Sequence, residues 1–599
     1  MFLIFINDIT EALQTKIAMF ADDIVLWHTS KYPIQCRRNL SEALRRLWIF
    51  CSIWKIQVSV GKTKYSIFTM SPKTAKTTLR LQYGEDLLEK EEHPVYLGMI
   101  FDHRLTFANH IEQVEEKATK RLNLLKRLGS TSWGSDKHTL RALYLAYIRS
   151  ILEYNAAILY TSSKTNQEKL NKVQSKALRF VCGGMRTTPT AACEIDADVI
   201  PLEKRREQAV LETVERSYRM PENHPNRKTI DNWTERTRIT PRSVLDRSKE
   251  LMERHRLPEN REVMQRVHDS PCTEYKPPII NKFLIDPSVS KDSNPLILKA
   301  TTLETLETFP KSVIKIFTDG SAFKATINAG YGAWIVYPDG EEVEISEACG
   351  DTCSNYEAEL AAMVASLEHI HRALTSYPEK VNDVVIFTDS QSSLQTLENN
   401  SMDTLESRQL REMIHLVITT HSIHVTLQWV PGHAGIMGNE KADKLAKFGA
   451  QNPQPQKDVT FRTAKQIIKS NLKIEWMNDW ALGHTGRTFY KHRPTPQRDN
   501  TGLSRNEQTT IFRLRTEHIA LNHHLNRIKP EHPPNCILCN DPYETVNHHL
   551  YKCPALGDLR DALLPPSLDP ESCLYSSTEQ LKKTCQYHLI AMSRRAKAQ

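Results

Sequence analysis

Between residues 313 and 448 short β-rich runs alternate with helical stripes, and four of these elements each present one carboxylate at an end or on a face. Residues 313–318 (VIKIFT) form a β-rich run that closes on Asp319-Gly320. Residues 330–337 and 342–348 alternate like two further strands around a Pro338-Asp339-Gly340 turn. Residues 355–373 carry Leu360, Met363, Val364, Leu367 and Ile370 at helical spacing. Residues 384–388 (VVIFT) are a short buried strand ending at Asp389, and residues 425–430 (VTLQWV) are another, followed by Gly432-His433. Residues 439–448 read as a short helix. The order is three strands, a helix, a strand, helices, a strand and a helix. It predicts a mixed α/β layer with helices packed on a sheet.

The carboxylates are Asp319 and Asp389 at strand ends, Glu359 one turn into the long helix, and Asp443 on the last helix. Four such groups brought to one point repel one another unless cations neutralise them. Oxygen-only ligands favour hard ions such as Mg²⁺ or Mn²⁺. A pair of such ions serves in-line displacement at phosphorus.

FTDGS (317–321), NYEAEL (355–360), FTDSQ (387–391) and WVPGHAGIMGNEKAD (429–443) resemble the four signature segments of the ribonuclease H family, in the family's order and with its spacing between His433 and Asp443. The resemblance implies an RNA–DNA hybrid endonuclease over residues 311–450. Asp319, Glu359, Asp389 and Asp443 would hold two metal ions, and His433 would assist proton transfer or product release. Asn355 and Gln391 match positions where family members contact the substrate in a shallow groove.

Elsewhere the chain is less explicit. Its 599 residues suggest about three to five domains. A hydrophobic share of 40% is enough for packed cores, and the net charge of +8 is compatible with RNA or DNA partners without requiring them. Twelve cysteines, sparse and irregularly spaced apart from a cluster near the end, do not form a disulfide scaffold, which points to a reducing intracellular compartment, cytoplasm or nucleus. No run is long and apolar enough to predict a membrane span.

Residues 17–27 (IAMFADDIVLW) read as an apolar hairpin with Asp22 and Asp23 at its tip. The FADD box resembles the third catalytic segment of reverse transcriptases. GKTKYSIFTM (61–70) and YLGMIFDHRL (96–105) resemble later palm segments of non-LTR retrotransposon polymerases, jockey-like elements in particular. Residues 1–105 are thus expected to be a partial palm, and 106–215 a helical thumb or connection. Within the latter, residues 110–128 form an amphipathic helix with Ile111, Val114, Ala118, Leu122 and Leu125 on one face and Lys117, Lys120, Arg121 and Arg127 crowding the other. FADD begins at Phe20, so the family's first catalytic aspartate segment is missing and no polymerase activity is expected of this chain. Ten prolines between 216 and 310 predict a tether.

Residues 455–599 are expected to be a helical, basic tail. Cys536, Cys539, His548 and Cys553 (C-x2-C-x8-H-x4-C, residues 536–553) have the composition of a zinc knuckle, with His549 as an alternative ligand. The arrangement also resembles the C-terminal segment of the same element class. Residues 487–498 mix basic and aromatic side chains, suited either to single-stranded nucleic acid or to a basic loop.

The expected architecture is therefore a multidomain α/β chain. A ribonuclease H-like mixed sheet flanked by helices is preceded by a partial palm and helical thumb and followed by a helical zinc-knuckle tail. The expected activity is metal-dependent cleavage of the RNA strand of hybrids. The competing expectation is an inactive nucleic-acid-binding relic of a retrotransposon.

Overall fold

The computed structural model describes residues 6–234, 242–264, 275–377, 383–399, 404–497 and 502–598. The apolar first five residues, Pro241, Pro271, Cys272 and Arg498 lie outside the described residues. Two compact units are present. One comprises 1–207, 236–244 and 475–599; the other comprises 208–235 and 245–474.

The second unit is built on a six-stranded mixed sheet. In chain order its elements are β1 (Ile279–Asn281), α1 (Pro295–Glu307), β2 (Ile314–Phe323), β3 (Ile327–Val336), β4 (Glu342–Gly350), α2 (Asn355–Ser376), β5 (Val384–Thr388), α3 (Gln391–Glu398), α4 (Leu405–His421), β6 (Val425–Trp429) and α5 (Met437–Gly449). The strand order is β4-β3-β2-β5-β6-β1. β2, β3 and β4 form an antiparallel meander, while β2–β5, β5–β6 and β6–β1 are parallel.

Period-two alternation sends each strand's side chains to two cores. Ile314, Ile316, Ile335, Ile386 and Leu427 pack with Leu360, Met363, Leu367 and Ile370 of α2 and with Leu410, Ile414 and Val417 of α4. Val313, Phe317, Trp334, Val385 and Phe387 pack on the other face with Ala442 of α5. There Phe317 stacks between Phe387 and Trp334, with centroids 4.8 and 5.7 Å away. Every β5 residue is buried, as expected of a central parallel strand covered on both faces.

β1 and α1 arise from the segment expected to be a tether. Pro277-Pro278 precede an edge strand, where proline costs no ladder hydrogen bond, and Leu284, Val289 and Leu298 join the α2-side core.

The first unit is mainly helical beyond its first hundred residues. The predicted amphipathic helix spans Ala108–Leu125, and its five expected apolar residues are all buried. They share a core with Leu170, Val173 and Val181 of helix Lys164–Cys182 and with Trp476, Trp480, Phe489 and Phe512 from the C-terminal part. Residues expected to form separate thumb and tail thus pack together. Among the described residues no helix is long and apolar enough to cross a membrane.

Candidate active site

The sheet register brings the first two carboxylates together. The parallel pairing of β2 with β5 ends at Thr318↔Thr388, and the next residue on each strand is an aspartate, Asp319 and Asp389. Alternation puts both on the same face as Phe317 and Phe387. Asp319 does not end its strand as the sequence suggested, since β2 continues to Phe323 by pairing with β3 alone. Glu359 comes from α2, which packs on the opposite face. Gly320 makes this approach possible, because a Cβ there would overlap the backbone N of Glu359. A capping box, with Ser354 N donating to Glu357 Oε2 at 2.8 Å, fixes the start of α2.

Ligand-capable oxygens of Asp319, Glu359 and Asp389 all lie within 4.8 Å of one another. Asp319 and Glu359 are only 8% and 7% exposed, so their charges are taken from water as well as placed side by side. Burial first, and the Asp389 charge second, push Asp319 up to about 7. Burial also raises Glu359 well above the carboxylate range, with Asp319 and Asp389 adding to it, and burial raises Asp389. Oδ1 of Asp319 accepts from Gly320 N at 2.8 Å, whereas buried Oε2 of Glu359 has no hydrogen-bond partner. A buried acceptor left unsatisfied is costly. A hard divalent cation fits this all-oxygen donor set and that orphaned oxygen.

Asp443, on α5, stands outside the trio but near enough for its charge to raise both Asp319 and Asp389. Its carboxylate accepts from Lys447 Nζ, one helical turn on, at 2.7 Å. His433 is an exposed loop residue with φ of 54°, and its charge acts on Asp389. Neighbouring Gly432 leaves room for the Asp389 carboxylate, which a Cβ there would displace. Asn355 and Gln391 are exposed at the first turns of α2 and α3, and Gln391 N donates to Asp389 O at 3.1 Å. Asn439 was missed from the sequence. It is buried on α5 one turn before Asp443, and its amide opposes the rise of the Asp389 carboxyl. Its four-residue spacing from Asp443, which puts both on one helical face, was the available signal.

A second cluster lies in the first unit. Cys536, Cys539, His548 and Cys553 bring one donor atom each within 4.8 Å of the others. Cys539 Sγ is 3.3 Å from His548 Nε2, and Cys536 Sγ is 4.0 Å from Cys553 Sγ. The Cys536–Asn540 turn is closed by Asn540 N donating to Cys536 O at 2.9 Å, with Asn540 at φ 64°. His548 Nδ1 faces Asp541 at 3.5 Å, an arrangement that orients a metal-binding imidazole. Burial pushes the Cys553 thiol up to about 12, with nearby Cys536 and Cys539 adding to the effect. His549 points elsewhere, its Nε2 lying 3.1 Å from His588 Nδ1. The three thiols and one imidazole are the donor set that suits Zn²⁺.

Asp22 and Asp23 behave differently. Strands Lys16–Phe20 and Asp23–Trp27 do form the expected antiparallel hairpin, with Ala21 at φ 53° in its turn. Both aspartates are exposed rather than buried, and neither joins an acidic cluster among the described residues.

A mixed sheet with helices on both faces, and an acidic trio where the parallel pairing of its two central strands ends, is the arrangement expected of a ribonuclease H-like α/β domain. The sequence model of the family described as RNase H matches residues 311–451. Ribonuclease H of Yersinia enterocolitica is 34% identical over 152 residues, covering 23% of this chain and 91% of that enzyme. The chain therefore belongs to the ribonuclease H family, and the segment around the trio is a ribonuclease H enzyme domain. A "Probable RNA-directed DNA polymerase from transposon BS" of Drosophila melanogaster is 28% identical over 168 residues, covering 28% of this chain. That match spans only 18% of the Drosophila protein's length. Among solved structures, RNase H1 of Halobacterium salinarum NRC-1 is 24% identical, covering 23% of this chain and 96% of that one, with a TM-score of 0.18.

Proposed function

We propose that this protein cleaves the RNA strand of RNA–DNA hybrids with divalent metal ions, as part of a retrotransposon polyprotein. The observation that carries the reading is the convergence of Asp319, Glu359 and Asp389, from three elements, with ligand oxygens within 4.8 Å of one another. Mg²⁺ or Mn²⁺ bound there would lower the pKa of water and stabilise charge developing on the leaving 3′ oxygen.

The chain's own groups do the rest. Asp319 and Asp389, rigidly placed by the strand register, fix where the scissile phosphate sits. Glu359 supplies the third oxygen donor from α2. Asp443, half-buried on α5, completes the acidic set and is held ready by Lys447. His433, exposed on its loop beside Asp389, moves a proton to or from the departing product. Asn355 and Gln391 contact the hybrid's minor groove, where the 2′-hydroxyl marks the RNA strand. The likeness to a transposon polymerase supports the wider setting, in which the domain removes template RNA after reverse transcription.

The direct test incubates the full chain with labelled hybrid and Mg²⁺. Cleavage of the RNA strand alone is expected, with none in EDTA. Hybrid binding without cleavage would replace this reading with that of a non-catalytic binding protein.

We propose further that Cys536, Cys539, His548 and Cys553 bind Zn²⁺. Elemental analysis should find one zinc per chain, lost in Cys536→Ser and retained in His549→Gln. Loss in His549→Gln alone would reassign the ligand.

A further inference from the structure

Close to the nuclease centre, but outside it, β4 ends and α2 begins with two cysteines. Cys349 is the penultimate residue of β4, and Cys353 immediately precedes Ser354, the N-cap of α2. Both are buried, and their sulfurs are 3.2 Å apart. A disulfide bond is about 2.05 Å long, so the two sulfurs stand only about 1 Å beyond bonding distance.

A cation accompanies them. Lys457 Nζ lies 3.9 Å from Cys349 Sγ and 4.0 Å from Cys353 Sγ, and it is held in place by an ion pair with Glu406. Its aliphatic chain covers Gly350, where a Cβ would come within 3.1 Å of Lys457 Cβ. The connection itself is pinned to the segment bearing Lys457. Gly350 N donates to Gln454 Oε1 at 3.1 Å, and Asp351 N donates to Pro455 O at 3.2 Å. The intervening turn meets solvent, since Asp351 is exposed and Thr352 half-exposed. The hydrogen bond from Cys353, and then the Lys457 charge, hold Cys349 below the ordinary thiol range against the opposing effect of burial, while Cys353 is held above it. Cys349 is also the more accessible of the two, 7% exposed against 0% for Cys353. That asymmetry separates an attacking from a resolving thiol.

We propose that Cys349 and Cys353 are a reversible dithiol–disulfide site, oxidised by hydroperoxides, that fastens the β4–α2 connection. The Cys349 thiolate attacks the distal peroxide oxygen, the O–O bond breaks, and the sulfur becomes a sulfenic acid while hydroxide leaves and takes a proton from solvent. Cys353 then attacks the Cys349 sulfur, and the S–O bond breaks as the departing hydroxide takes the Cys353 proton. Two thiols and one hydrogen peroxide give one disulfide and two waters. A small dithiol reverses the change by two exchange steps.

Both cysteines fall in one tryptic fragment, between Lys324 and Arg372, so the disulfide is read as loss of two hydrogens and of both alkylation sites. The full chain is treated with graded hydrogen peroxide, alkylated, digested and analysed by mass spectrometry. The expected result is oxidation of this fragment at doses that leave half-buried Cys36 alkylatable, reversed by dithiothreitol. Cys353→Ser should stop at the sulfenic acid, trapped by dimedone on Cys349. Lys457→Met should slow oxidation by about tenfold near neutral pH. Two free thiols persisting until Cys36 is consumed, or oxidation that requires denaturant, would overturn the proposal. So would a wild-type sulfenic acid that never resolves. Should either variant misfold, the wild-type dose series decides alone.

Discussion

Two pairs of aspartates lie where strand pairing changes or turns in this chain, and they have opposite surroundings. Asp22 and Asp23 lie at the turn of a two-stranded hairpin and face solvent. Asp319 and Asp389 follow a registered pair in a six-stranded sheet and are joined by Glu359 from a helix on the other face. Adjacent carboxylates in sequence can turn apart and stay in water. Carboxylates far apart in sequence, converging behind a packed sheet, lose water and gain each other. Their protonation is thereby raised, and a cation becomes the natural partner. Acidity in the sequence is thus no measure of a metal site; convergence under burial is.

The sharpest way to break this comparison is exchange of one aspartate from each pair for asparagine. Asp389→Asn should lower hybrid cleavage by about 10³-fold or more, because it removes a metal donor at the reacting centre. Residual activity near wild type would remove Asp389 from the centre.

Next in size is His433→Ala, expected to cost about 10²-fold in turnover with little change in KM, as for loss of a proton-transfer group. A change in KM alone would make His433 a substrate-binding residue.

Third is the electrostatic strain itself. Asp319 and Glu359 have folded pKa values raised above the unfolded ones. The proton that favours the fold is fully in place below the unfolded pKa and is lost as pH rises through the folded one. Metal-free protein should therefore lose local stability between about pH 4 and 7, and Mg²⁺ should restore it. Glu359→Gln should flatten that profile and stabilise β2 in EDTA by about 1–2 kcal/mol at pH 8, as read by hydrogen exchange. An unchanged profile would show that the trio does not repel.

Smallest is Asp22→Asn, expected to shift stability by under about 0.5 kcal/mol and leave hybrid cleavage untouched. A measurable loss of cleavage would show that the hairpin serves the nuclease.

Much of the sheet was legible. The run at 384–388 became β5 without adjustment, and α2 began at Asn355 as its stripe required. The errors have physical causes. β2 outran its apolar run because antiparallel pairing with β3 continues through Asp319-Gly320-Ser321, residues that only a neighbouring strand makes extended. β1 was hidden among prolines because three residues at a sheet edge have no periodicity to display. The separate thumb and tail were a reading along the chain, and the shared core of Leu170, Trp480 and Phe512 is a contact across it.

The sequence by itself determined the family, the four candidate carboxylates and the thiol–imidazole set, because residue type and spacing carry that chemistry directly. Tertiary structure alone decided that Asp443 stands apart from the other three and that His549 turns to His588 instead of the cysteines. It also decided that Asp22 and Asp23 lie in water and that Cys349 meets Cys353 under Lys457. The reason is common to all of these. Covalent order fixes which groups exist and their local period, whereas distance, burial and the resulting electrostatics depend on which surfaces pack.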